Sequence, residues 1–172
     1  MIAKLFRGML PAVLAVVVTV GCQTVQTTGG GAVGVERTQT MMVSAREVEQ
    51  ASAQAYQQIL AEARKQNALN RDAAQVQRVR RIANRLIAQT AVFRSDAPGW
   101  QWEVNVLSSD ELNAWCMAGG KIAIYTGLID QLKLSDDEIA AVMGHEIAHA
   151  LREHARERIS KSVATGIGVS VL

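Results

Sequence analysis

Residues 141–154 read AVMGHEIAHALREH and hold all three histidines of the chain. His145 and His149 stand four apart around Glu146, the pattern H-E-x-x-H. A helix turns about 100° per residue, so side chains four apart lie nearly above one another. On a helix, the two imidazoles aim their nitrogens at one tetrahedral ion. Glu146 lies beside that face, outside the ligand set but within reach of water at the ion. Zinc lowers the pKa of such a water toward about 7. Glu146 then takes its proton as general base and returns it to a leaving amine, chemistry that suits amide hydrolysis. Nitrogen and carboxylate donors in tetrahedral array favour zinc, one ion per chain. The alternative is a solvent-facing helix with polar filler. The apolar or small flanks of GHEIAHAL speak against it: they place the motif on a buried helix, where polar groups need partners.

A catalytic zinc usually has three protein ligands and one water. The third is not found in this chain. His154 follows His149 by five residues, which on a continuous helix turns it off the metal face. Glu153 shares the face of His149 but lies a turn further along, and reads as a surface carboxylate or a partner of Arg156. The whole stretch 134–161 reads as the longest helix, opened by a capping box of Ser135 and Glu138.

The 172 residues suffice for one domain with a core. Ser44 and Glu47 form another capping box, and Val48, Ala51, Ala55, Ile59 and Ala63 recur as one apolar helix face. NALN at 67–70 ends that helix. A second follows with Val76, Val79, Ala83 and Leu86 inward, and with Arg78, Arg81 and Arg85 outward as a solvated basic face. After turn residues at 96–99, WQWEVNV alternates as a half-buried strand, and KIAIY reads as a second strand paired with it. The fold expected is α+β, mainly α, with a small sheet beside the motif helix. Cys116 reads as a small buried residue rather than a ligand. The net charge of +2 offers no concentrated basic face, so nucleic acid is not an expected partner.

The N-terminus is a separate object. Lys4 and Arg7 precede the uncharged run PAVLAVVVTVG, the order of a secretory signal over residues 1–21. TVGC at 19–22 resembles a bacterial lipobox, with Thr19 departing from the usual leucine; an ordinary cleaved signal is the other reading. Acylated Cys22 would anchor the chain to a membrane, and Gln23, in place of a retention aspartate, points to the outer one. Residues 22–43, rich in Gly and Thr, read as a flexible tether.

HEIAHALREHARER together with NAWCMAGGKIAIYTGLI resembles the HtpX and CAAX-prenyl-protease metallopeptidases, peptidase family forty-eight, and most of all their periplasmic lipoprotein and Oma-type branch. The likeness runs from about residue 45 to the end. It implies a zincin-like fold of the gluzincin type, with His145 and His149 on zinc, Glu146 as base and a glutamate of a later helix as third ligand. That position has no counterpart here, so 44–172 is expected to be the N-terminal part of the peptidase domain; the apolar ending GIGVSVL reads as a helix cut off in mid-core. The likeness further implies an outer-membrane lipoprotein facing the periplasm that acts on unfolded or misassembled proteins. In zincin folds an edge strand pairs with extended substrate. Lys121, Ile122, Ala123, Ile124 and Tyr125 resemble that element; a plain core strand fits the same pattern. A non-catalytic lipoprotein that binds misfolded proteins is the reading from another class.

Overall fold

The computed structural model describes residues 23–31 and 34–166. The signal-like segment, Cys22 and the GIGVSVL ending from 167 onward lie outside the described residues.

Two strands come first, β1 (Gln23–Val25) and β2 (Gln39–Met41), paired antiparallel. Gln39 and Met41 point inward and are buried. Gln39 Nε2 donates to Glu157 Oε2 at 2.7 Å and to the Arg152 carbonyl at 2.9 Å, and the Met42 N–H reaches Ser160 Oγ at 2.8 Å. The expected flexible tether over 22–43 is therefore wrong for much of its length. Its Gly and Thr content hides a short alternating strand, paired with β1, whose buried Gln39 finds partners more than a hundred residues away.

Helix α1 (Ala45–Lys65) opens on the Ser44–Glu47 capping box, both halves of which form. Its buried face runs through Val48, Ser52, Tyr56, Leu60 and Ala63, rotated from the expected one. Alanines offer little area to bury, and the Tyr56 ring takes the interior instead. Asn67, in the left-handed region, ends the turn after this helix. Asp72 caps α2 (Ala73–Ile87), which buries Val76, Val79 and Ala83 as expected, with Ile82. Its basic face is not free throughout: Arg78 Nε lies 2.6 Å from Asp136, and Arg80 Nε donates to the Val104 carbonyl.

The second sheet has β3 (Glu103–Leu107), β4 (Ala114–Met117) and β5 (Lys121–Tyr125) in the order β3-β5-β4. WQWEVNV thus enters the sheet only at Glu103. Trp102 is held before it by its indole N–H on the Ala97 carbonyl. KIAIY pairs with this strand as expected, in parallel, while β4 folds back on β5 through a turn at 118–120. Gly119 and Gly120 adopt φ of 75° and 82° there; a Cβ on Gly120 would stand 2.6 Å from the Trp102 ring.

Period-2 alternation sorts β5 between two cores. Ile122 and Ile124 meet Val79, Ile82, Ile139, Met143 and Ile147 of the α2 side. Ala123 meets Tyr56 and Leu60 of α1. The result is a helix–sheet–helix sandwich, with α1 on one face and α2 with α4 on the other. Short α3 (Thr126–Gln131), α4 (Asp136–Leu151) and α5 (His154–Thr165) are the last helices of the described residues. The single helix expected over 134–161 is in fact two, so α1 is the longest. Among the described residues, no helix is long and apolar enough to cross a membrane.

Candidate metal centre

Helix α4 starts on the Ser135–Glu138 capping box, with Asp136, Asp137 and Glu138 in its first turn at the positive end of the dipole. One face, through Ile139, Met143, Ile147, Ala150 and Leu151, is buried. That burial fixes the rotation of the helix and turns His145 and His149 to the exposed side. The motif therefore lies on a half-buried helix, not the fully buried one its apolar flanks suggested. His145 Nε2 and His149 Nε2 stand 2.9 Å apart, with the rings nearly perpendicular. Two imidazole nitrogens converging on one point suit a shared divalent ion.

Glu146, half-buried, lines a cleft of about 660 Å³ together with His149. Helix α1 contributes Val48 to its walls, β4 contributes Trp115, Cys116 and Met117, and α4 contributes His149. Burial, helped by the nearby Glu146 charge, pushes the Cys116 thiol well up. Its side chain is half-buried in the cleft wall, where the sequence suggested a small buried residue. Asn113, at the head of β4, also lines the cleft.

The chain breaks where a continuous helix was expected. Helix α4 stops at Leu151, Glu153 adopts φ 50° and ψ 39°, and α5 starts at His154. A non-glycine residue in the left-handed region costs about 1–2 kcal/mol. Three arginine contacts compensate. Arg94 Nη1 lies 2.6 Å from Glu153 Oε1 and also donates to the Leu151 carbonyl, while Arg156 Nη1 lies 2.7 Å from Glu153 Oε2. Glu153 is thus the expected partner of Arg156, but no surface carboxylate: its side chain is 11% exposed. Burial alone would lower the Arg94 pKa, yet its hydrogen bonds to Asp96 and Glu153 outweigh that and raise it. The break carries His154 to the first histidine pair, its Nδ1 at 2.5 Å from His149 Nδ1. Burial and the adjacent His149 hold the His154 pKa below its ordinary value.

Among the described residues, no group of three or more His, Cys, Asp or Glu side chains is arranged to hold a metal ion. The histidine pair fits two ligand positions. Glu153, held by two arginines, does not offer a third.

The substrate strand expected at Lys121–Tyr125 is overturned. Strand β5 is central, and its backbone bonds go to β3 on one side and β4 on the other. Ile122, Ala123 and Ile124 fill the cores, and the Lys121 ammonium is paired with Glu103 at 2.7 Å. Only Tyr125 of the five reaches the cleft. The edge beside α4 is β4. The Tyr125 N–H bonds the Asn113 carbonyl, so by antiparallel alternation Ala114 and Cys116 direct their backbone groups outward. AWCM carried no clear strand signal beside the β-rich KIAIY, and of the Arg94–Glu153–Arg156 cluster only the Glu153–Arg156 spacing was legible, not the part of Arg94.

A helix that presents H-E-x-x-H to a cleft walled by a small mixed sheet defines a class, the α+β domains of metallopeptidase type. Within that class the chain belongs to Peptidase family M48, whose family model matches residues 73–171. It is similar to metalloprotease LoiP of Escherichia coli, 29% identical over 159 residues, which cover 92% of this chain and 58% of that protein. It is also similar to mitochondrial metalloendopeptidase OMA1 of Arabidopsis thaliana, 44% identical over 69 residues, 40% of this chain and 14% of that one. Metalloprotease YcaL of Escherichia coli is 37% identical over 59 residues, 34% of this chain and 22% of that one. The chain thus spans between 14% and 58% of the length of these relatives. No solved structure matches.

Proposed function

We propose that this chain is a zinc-dependent metalloendopeptidase of the bacterial cell envelope, of gluzincin type, that cuts unfolded or misassembled proteins. The observation that carries it is the meeting of His145 Nε2 and His149 Nε2 at 2.9 Å, with Glu146 lining the same cleft as His149. His145 and His149 would hold the ion, and family likeness makes a glutamate of a later helix the third ligand. When bound, zinc supplies a Lewis acid that polarises a carbonyl and acidifies water. Glu146 takes the proton of the attacking water and delivers it to the leaving amine. The outward groups of Ala114 and Cys116 on β4 receive an extended backbone by strand addition, the role first expected of β5. Such pairing needs unfolded chain, and the apolar walls of the cleft suit side chains that a folded protein hides. An acylated Cys22 would hold the enzyme on the outer membrane, facing the periplasm.

The test is casein cleavage by the zinc-reconstituted chain beside Glu146→Gln. Loss of a general base lowers the rate by about 10²- to 10⁴-fold, with zinc retained. Equal cleavage by both proteins would sink the role of Glu146. The second reading, a non-catalytic lipoprotein that binds misfolded proteins, draws on the two-ligand set of the described residues. It expects casein binding without cleavage by either protein.

A further inference from the structure

His149 is engaged at both ring nitrogens. Nε2 meets His145, and Nδ1 meets His154 Nδ1 at 2.5 Å. A neutral imidazole carries its proton on one nitrogen only. For Nε2 to offer a lone pair to an ion, the proton must sit on Nδ1, and an acceptor must face it there. Histidine ligands almost always have such a partner on the far nitrogen, which sets both tautomer and ring angle.

We infer that His154 is a positioning residue whose Nδ1 accepts the His149 Nδ1–H and so presents the His149 Nε2 lone pair beside His145. This rests on the reading of His145 and His149 as metal ligands. His154 acts here through His149 and not as a ligand, although its ring also lines the cleft.

The geometry depends on the break between α4 and α5. Five residues along a continuous helix leave two side chains about 140° apart around the axis, and the rings would diverge. Glu153 in the left-handed conformation turns the chain so that they meet edge to face, with ring centroids 4.7 Å apart. The other acceptor at the break, the Glu153 carboxylate, is occupied by Arg94 and Arg156. That leaves the His154 ring as the acceptor at His149 Nδ1. The two polar faces of the break thus have separate tasks: one locks the backbone, the other fixes a ring.

Two substitutions of similar shape separate the acceptor from mere filling. Asn places an amide oxygen near the position of His154 Nδ1, whereas Leu places a methyl group there. Zinc affinity of the full chain is measured by competition with a chromogenic chelator, for wild type, His154→Asn, His154→Leu and His149→Ala. Far-UV circular dichroism confirms that each is folded. His154→Leu is expected to bind zinc about 10- to 100-fold more weakly, with His154→Asn near wild type. The ¹⁵N shifts of zinc-loaded wild type should show His149 protonated at Nδ1. Wild-type affinity in folded His154→Leu, with binding lost in His149→Ala, would overturn the inference and leave the ligands standing. Equal weakening in Asn and Leu would also overturn it, since the acceptor then makes no difference. Undiminished affinity in His149→Ala would overturn the ligand reading and this inference together.

Discussion

Replacing Arg94 by Met is expected to destabilise the domain far more than a surface charge change would. Arg94 is 15% exposed and holds the Glu153 carboxylate, the Leu151 carbonyl and Asp96 together, with its guanidinium 4.9 Å over the Trp100 ring. Stripping one partner from a buried pair costs about 3–5 kcal/mol when the other charge is left alone. Here Arg156 still holds the second Glu153 oxygen, so about 2 kcal/mol is the better figure for that part. The lost cation–π contact adds about 0.5–1 kcal/mol. The sum is near 3 kcal/mol, or about 6–12 °C in melting temperature for a chain of this size. Urea unfolding of wild type, Arg94→Met and Arg81→Met measures it. Arg81, exposed on α2, is the control and should shift by less than about 0.5 kcal/mol. An Arg94→Met protein as stable as the Arg81 control would refute the view that this cluster holds the break.

Glu157 ties β2 to α5 and sets an acid limit. Burial alone pushes its carboxyl up, but hydrogen bonds from Lys161, Gln39 and Arg37 outweigh that and hold it at about 2. Since the folded value is depressed, its stabilisation is full above the ordinary carboxylate range, near 4.5, and is lost as pH falls toward 2. Glu157→Gln should flatten the fall in melting temperature between those limits; an unchanged slope would count against the pairing. At the other end of the chain, Cys22→Ser should move the protein from the membrane fraction to the soluble envelope fraction. Persistent membrane attachment would remove the acyl anchor from the account.

Local signals were legible in the sequence, and long-range ones were not. The capping boxes at Ser44–Glu47 and Ser135–Glu138 span three residues each, and both form as read. The H-E-x-x-H spacing placed two rings together because a helix needs only its own geometry to do so. The break at Glu153 carries no Gly or Pro, and its cause, Arg94, lies far back in the chain. Strand order was hidden for the same reason. KIAIY looks like a strand anywhere, but its central place depends on AWCM folding back over Gly119 and Gly120. With that order known, the edge strand beside the cleft is β4 and not β5.

Zinc content of the purified full chain, measured by inductively coupled plasma mass spectrometry after removal of loose metal, tests the central claim most directly. The histidine pair at 2.9 Å predicts one zinc per chain in wild type and in Glu146→Gln, and none in His145→Ala or His149→Ala. Undiminished zinc in the two histidine variants would contradict the claim, and so would a wild-type chain that takes up none.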